Sequence, residues 1–257
     1  MRASVTLAVC VVALLVPSAG AQAAPEIGRC EAKSGGKYTS ANCNVKAKTG
    51  TGTFEFNKGA AGHLAFTVGS GELVQEGASG TNIVCTASTA TGKYKEANGK
   101  INSVEQVVWT LTGCGIPAFG VRCNTRGQPP ETFVFYQLKG KLGYLAGEHT
   151  ASPTLGLQLE PANKKAFGEF ECGGGAVNVV IDNCVISELT PANTMSTTIA
   201  QVLETAGDGH QKWTSFEKAP LKQCQLESSL NGGPREPVGL LVNATLTSEI
   251  ALMVHGI

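Results

Sequence analysis

Glu131–Leu138 reads ETFVFYQL. Side chains alternate across an extended chain with a period of two. Phe133 and Phe135 therefore share one face, and Val134 and Tyr136 share the other. Both faces are apolar, which marks a central strand covered on both sides. The same alternation recurs outward from it. Val104–Thr112 (VEQVVWTLT) sets Val107, Trp109 and Leu111 on one face and Val108 with Thr110 on the other. Thr51–Phe56 (TGTFEF) aligns Phe54 with Phe56, and His63–Val68 (HLAFTV) aligns Leu64, Phe66 and Val68. In Asn82–Ala87, Ile83 and Cys85 point the same way. Gly156–Leu159, Ala176–Ile186, Gln211–Phe216, Gln223–Leu230 and Leu240–Leu246 are further strand candidates. Turn-forming clusters separate them at hairpin-like intervals: Gly69-Ser70-Gly71, Asn98-Gly99, Gly207-Asp208-Gly209 and Asn231-Gly232-Gly233-Pro234. Thr197–Ala206 fits either period. Its Thr-rich start, and the glycines leading into Gln211, favour a strand over a helix.

These signals predict an all-β chain, an antiparallel β-sandwich or barrel, with little helix after the leader. Glycine is abundant at 32 residues and charged residues are only 16%, a composition suited to short strands and tight turns. The leader is Met1–Ala23. Arg2 precedes an apolar run, Val5–Val16, that is shorter than the roughly 20 residues a bilayer span requires. Ala21-Gln22-Ala23 then fits a signal-peptide cleavage site. The expectation is a secreted protein, extracellular or surface-associated, with one β-rich domain over 24–257. Two subdomains meeting near 140–155 are the alternative division. The formal net charge is zero. Such a balance gives no footprint for nucleic acid, and no later segment is apolar enough to predict a membrane span.

Eight cysteines follow the leader: Cys30, Cys43, Cys85, Cys114, Cys123, Cys172, Cys184 and Cys224. In an oxidising compartment an even set reads as disulfides. No C-x-x-C pair and no histidine at ligand spacing accompanies them, so no metal or other cofactor is expected. Short spacing favours Cys30–Cys43 and Cys114–Cys123, which close turn-rich loops. The other four leave three pairings open, of which Cys85–Cys172 with Cys184–Cys224 is favoured.

Several blocks resemble a known family. They are Pro25-Glu26-Ile27-Gly28-Arg29-Cys30, Gly36-Lys37-Tyr38-Thr39-Ser40-Ala41-Asn42-Cys43, and Gly50-Thr51-Gly52-Thr53-Phe54-Glu55-Phe56. Thr112-Gly113-Cys114 with Cys123, Pro191-Ala192-Asn193-Thr194-Met195-Ser196, Gly209-His210-Gln211 and Phe216-Glu217 extend the likeness over nearly the whole mature chain. The sequence is similar to a large group of uncharacterised secreted actinobacterial proteins found in many paralogous copies per genome. The resemblance implies one continuous secreted unit and assigns no activity, ligand or catalytic residue. Cys184 and Cys224 stand outside the common pattern, which further favours joining them to each other.

Catalytic constellations are sparse. A hydrolytic triad needs a nucleophile, a base and an orienting acid. Asp182 and Asp208 are the only aspartates, and His63, His149, His210 and His255 the only histidines. His63 sits on the polar phase of its strand, and His210 lies in a turn. There is no G-x-S-x-G elbow. Glu169 and Glu171 flank Phe170 and are the candidate pair for glycoside hydrolysis, although two glutamates at i, i+2 on a strand are more often a solvated face. Asp208 between two glycines reads as a turn rather than a calcium loop. Gly173-Gly174-Gly175 lacks the Lys-Ser/Thr of a phosphate loop. Lys46-Ala47-Lys48 and Lys164-Lys165 read as solvated loops. Trp109 and Trp213 are the candidates for a sugar-stacking platform, but both lie in apolar-patterned segments. The reading is a non-enzymatic extracellular module for cell-surface interaction or envelope structure, with a cell-surface glycan or protein as partner. A secreted hydrolase of polysaccharide or peptide, or a carbohydrate-binding module, is the alternative.

Overall fold

The computed structural model describes residues 24–59, 62–148, 150–163, 166–218 and 223–256. The leader, His149 and the Lys164-Lys165 cluster lie outside the described residues. The strands are, in chain order, β1 (Glu26–Gly36), β2 (Gly52–Lys58), β3 (Ala65–Ser70), β4 (Leu73–Gly77), β5 (Asn82–Cys85), β6 (Ala87–Ala97), β7 (Lys100–Thr112), β8 (Gly115–Ile116), β9 (Val121–Asn124) and β10 (Thr132–Ala146). After these come β11 (Thr154–Pro161), β12 (Gly168–Cys172), β13 (Val177–Asp182), β14 (Val185–Thr190), β15 (Ser196–Leu203), β16 (Thr205–Gly207), β17 (His210–Gln211), β18 (Glu227–Leu230) and β19 (Arg235–His255). A single 3-10 turn at Pro117–Phe119 is the only helical element among the described residues. The all-β expectation holds, and of its two forms the molecule adopts the barrel.

Eight antiparallel strands close that barrel in the order β7, β10, β11, β14, β15, β19, β3, β6 and back to β7. Closure removes free sheet edges. Its inner positions are those the alternation selected: Phe66, Val107, Trp109, Leu111, Phe133 and Phe135 are all buried. Trp109 meets Phe135 edge-on at 5.5 Å between ring centroids. Each such side chain, fully buried, contributes about 1.5–3 kcal/mol. The outer positions are polar. Thr89, Thr91, Lys93 and Lys95 on β6, and Asn243, Thr245, Thr247 and Glu249 on β19, are exposed. This polarity is the reverse of a membrane-spanning barrel, which turns an apolar band outward.

A second antiparallel ring continues from the first. It runs β9, β12, β13, β18, the start of β19, β4, β5, β8 and back to β9. Strand β19, 21 residues long, belongs to both: Arg235–Leu241 pair in the second ring and Val242–Thr247 in the barrel. The two interiors are one hydrophobic core. Phe133 of the barrel strand β10 stacks on Phe170 of β12 at 4.1 Å, which joins them.

Four disulfides pair all eight cysteines. Cys30–Cys43 and Cys184–Cys224 are as expected. The other two expectations are corrected: Cys85 pairs with Cys114, and Cys123 with Cys172. Cys114 and Cys123 do lie in one hairpin, with the Cys123 N–H donating to the Cys114 carbonyl at 3.0 Å. Their side chains instead staple that hairpin to its outer neighbours, β5 on one side and β12 on the other. A Cys85–Cys172 bond would have to cross the hairpin lying between β5 and β12. Gln211–Phe216 is likewise not a strand beyond Gln211. Trp213 and Phe216 leave the sheet and pack outside the barrel wall, over Leu145, Ile186 and Cys184–Cys224. Thr197–Ala206 is extended, as the Thr-rich pattern favours.

Candidate functional site

The short β8–β9 hairpin carries the most conspicuous surface feature. Its ladder is two residue pairs long, Gly115 opposite Arg122 and Ile116 opposite Val121. Gly115 also faces Val84 of β5, and Cys123 faces Cys172 of β12. So few pairs would leave the hairpin loose, and the two disulfides fix it at both flanks. In the chain-entropy model, sequence separations of 29 and 49 correspond to about 4 kcal/mol each. The turn between the two strands is Pro117-Ala118-Phe119, closed by Gly120 at φ 61°. Gly120 takes the left-handed conformation that glycine adopts without a Cβ penalty. The turn holds Phe119 outward, 71% exposed.

Beneath Phe119 the open end of the second ring forms a recess of about 320 Å³. Ile83, Ile116, Val121, Val177 and Leu230 supply its apolar wall, and the Cys172 side of a disulfide adds to it. Leu230 is 52% exposed. Barrel mouths are a common place for ligand pockets, and the size is at the lower end of such sites. Large apolar side chains displayed around a concavity favour recognition over plain solvation.

Gln75 is the buried polar side chain in this wall, which Ser79, Thr81 and Ser228 also line from more exposed positions. It occupies an inward position of β4, opposite Ile83 of β5 and Leu240 of β19. It is only 7% exposed and lines the recess. Among the described residues its amide has no hydrogen-bond partner. Water that enters the recess can meet it, and a ligand that displaces that water must bond the amide itself or leave it unpaired at a cost of about 1–3 kcal/mol. The only charged side chain in the lining is Glu236, which is exposed.

The residues singled out from sequence are dispersed. Glu169 and Glu171 do border a groove of about 370 Å³ on the outer face of β12 and β13. Glu171 is held by Arg126 at 3.4 Å, Glu169 is exposed, and no histidine among the described residues lines the groove. His63 contacts Glu249 at 2.7 Å on the surface, and His210 contacts the Asp208 carbonyl in the β16–β17 turn. Asp182 is paired with Arg235 at 2.7 Å. Trp109 is inside the barrel and offers no platform. Trp213 lies half-buried along the outer wall, its indole N–H donating to Glu188, with Lys212 over its ring at 5.5 Å. Lys46 and Lys48 face a shallow concavity shared with Lys37, whose ammonium is paired to Glu55.

The barrel interior is packed with the side chains of the main hydrophobic core. A void of about 30 Å³ inside it, room for one or two waters, is bordered by Ser88, Ser187 and Gln201 among apolar groups. Gln201 donates to Ser187 at 2.9 Å, and Ser187 donates to the Leu157 carbonyl at 3.2 Å. Nearer the far end, Tyr94 bonds Ser248 at 2.7 Å, and burial pushes its phenol up to about 12. That end is sealed by β1 and β2. Buried Glu26 bridges Lys58 and Lys100 there, and His255 stacks on Phe56.

Sequence reasoning passed over Phe119, Leu230 and Gln75. A signal existed for the first two. Phe119 is an aromatic inside a Gly/Pro-bounded turn between two cysteines, and Leu230 borders the Asn231-Gly232-Gly233 turn. Apolar groups at turns have no neighbours within their own strand to bury them. Nothing local marks Gln75, whose surroundings arise from ring closure. Comparison with protein-family models, curated protein sequences and solved structures finds no match to this chain, so the recess is defined by its own geometry.

Proposed function

We propose that the protein is a secreted, non-enzymatic binding module of the cell surface or envelope. Its binding end is the recess under Phe119. The observation that carries this reading is the conjunction at one site of an exposed aromatic, an apolar concavity of about 320 Å³ and two disulfides that hold its rim. Rigid rims lower the ordering cost of association, and exposed aromatics are frequent anchors of recognition. Four disulfides support an oxidising, extracellular setting. The leader pattern of Met1–Ala23 supports export, and no helix among the described residues is long and apolar enough to cross a membrane. The hydrolase reading has less support, because Glu169 and Glu171 lie on a solvated strand face beside Arg126 rather than with a histidine. The sugar-stacking reading loses its Trp109 platform to the barrel core.

The test is fractionation of a producing culture that expresses either the wild type or Phe119→Ser/Leu230→Ser. Both substitutions replace exposed side chains, so the fold should survive. The wild type should be retained at the cell surface and the double variant released to the medium. Identical distributions would sink the proposal.

A further inference from the structure

We infer that the recess takes an apolar peptide segment and that the Gln75 amide recognises the backbone N–H and C=O of one of its residues. The inference rests on the recess being the binding end and adds the chemistry of the partner. Three observations support it.

The first is the amide itself. Gln75 is 7% exposed, faces the recess and has no hydrogen-bond partner among the described residues. A carboxamide presents a carbonyl acceptor and an N–H donor in one plane. In an extended peptide the N–H and C=O of one residue point the same way and answer both at once, and a lone secondary amide supplies the N–H for one of the two bonds. An ester or ether offers acceptors alone, and a hydrocarbon offers neither. A site built around an unpaired polar group discriminates strongly against ligands that leave it unpaired.

The second is charge. Apart from the exposed Glu236, the lining side chains among the described residues are uncharged, so none of them is a cation placed to hold a phosphate, sulfate or carboxylate. A neutral ligand fits best. The third is size. About 320 Å³ seats a large side chain or two, whereas the apolar surface continues outward over Phe119 and Leu230. A chain that enters the recess and runs on across the rim covers both parts. A small free amide would cover only the inner one.

The experiment uses the full secreted chain and displacement of N-phenylnaphthylamine, an uncharged apolar dye. The first pair of competitors is N-isobutyl phenylacetamide and isobutyl phenylacetate, which share a shape and differ in the amide. The wild type should prefer the amide by about tenfold. Gln75→Leu should level the pair. The second comparison sets a blocked apolar tripeptide, acetyl-Leu-Phe-Leu-methylamide, against the small amide. The peptide should bind at least tenfold tighter, and Phe119→Ser should erase that advantage. If the wild type binds the dye but treats amide and ester alike, the role of Gln75 is overturned while the recess remains a binding site. If the peptide gains nothing over the small amide, the ligand is a small molecule and the peptide assignment fails. If the dye itself does not bind, the reading of the recess fails and takes this inference with it.

Discussion

His255 shows how one side chain couples the closed end of the barrel to pH. Its ring stacks on Phe56 at 4.2 Å between centroids, and its Nε2–H donates to the Cys43 carbonyl at 3.0 Å. Burial pulls the imidazole below its ordinary value. The Cys43 bond and Glu26 oppose that pull, while Lys46 and Lys58 reinforce it. A folded-state value below the unfolded one means that the unfolded chain takes up protons first as pH falls. Stability from this group is therefore full above about pH 6.5, the unfolded value, and declines as pH drops toward the folded value. Urea midpoints between pH 8 and pH 5 should fall more steeply for the wild type than for His255→Asn; parallel curves would remove His255 as the cause. At the outer wall, a Cβ added at Gly143 would collide with the Phe216 ring. Gly143→Ala should cost about 1–3 kcal/mol. In a double-mutant cycle with Phe216→Ala the costs should be less than additive, because the clash disappears with the ring. Full additivity would mean that the ring is not what Gly143 accommodates.

Among the elements, the β8–β9 hairpin depends most on covalent bonds. Its two-pair ladder places Phe119, and the disulfides to β5 and β12 anchor it. Replacing Cys85 and Cys114 together by alanine should lower stability by about 3–4 kcal/mol in urea denaturation and weaken binding at the recess. Unchanged stability and binding would show that the ladder suffices. Much of the strand pattern was legible, since Val107, Trp109 and Leu111 on β7 and Phe133 with Phe135 on β10 hold alternate inward positions, and the alternation is interrupted only beyond them, at register shifts. The pairing of the hairpin cysteines was not. Sequence distance favours the nearest partner, but Cys114 and Cys123 spend their side chains on neighbours fixed by nonlocal pairing. The segment after Gln211 misled for a related reason. Its apolar residues fit a strand period, yet Trp213 and Phe216 find their partners on the outside of an already closed wall.

At the scale of the molecule, two closed rings share β19 and a continuous core. One end is sealed by β1 and β2, whose Glu26–Gly28 pair with Met253–His255. The other end opens into the recess. This asymmetry explains why the candidate site was hidden in the sequence: Gln75, Phe119 and Leu230 come from three separated segments that only the second ring brings together. On the proposed function, the barrel is the support and the second ring the presenting surface. The most direct test of this division is a fluorescence titration of the folded, oxidised protein with N-phenylnaphthylamine, comparing the wild type with Phe119→Ser/Leu230→Ser. The account predicts saturable binding at one site in the wild type, weakened at least tenfold in the double variant. Absence of saturable binding, or equal affinity in the two proteins, would contradict it.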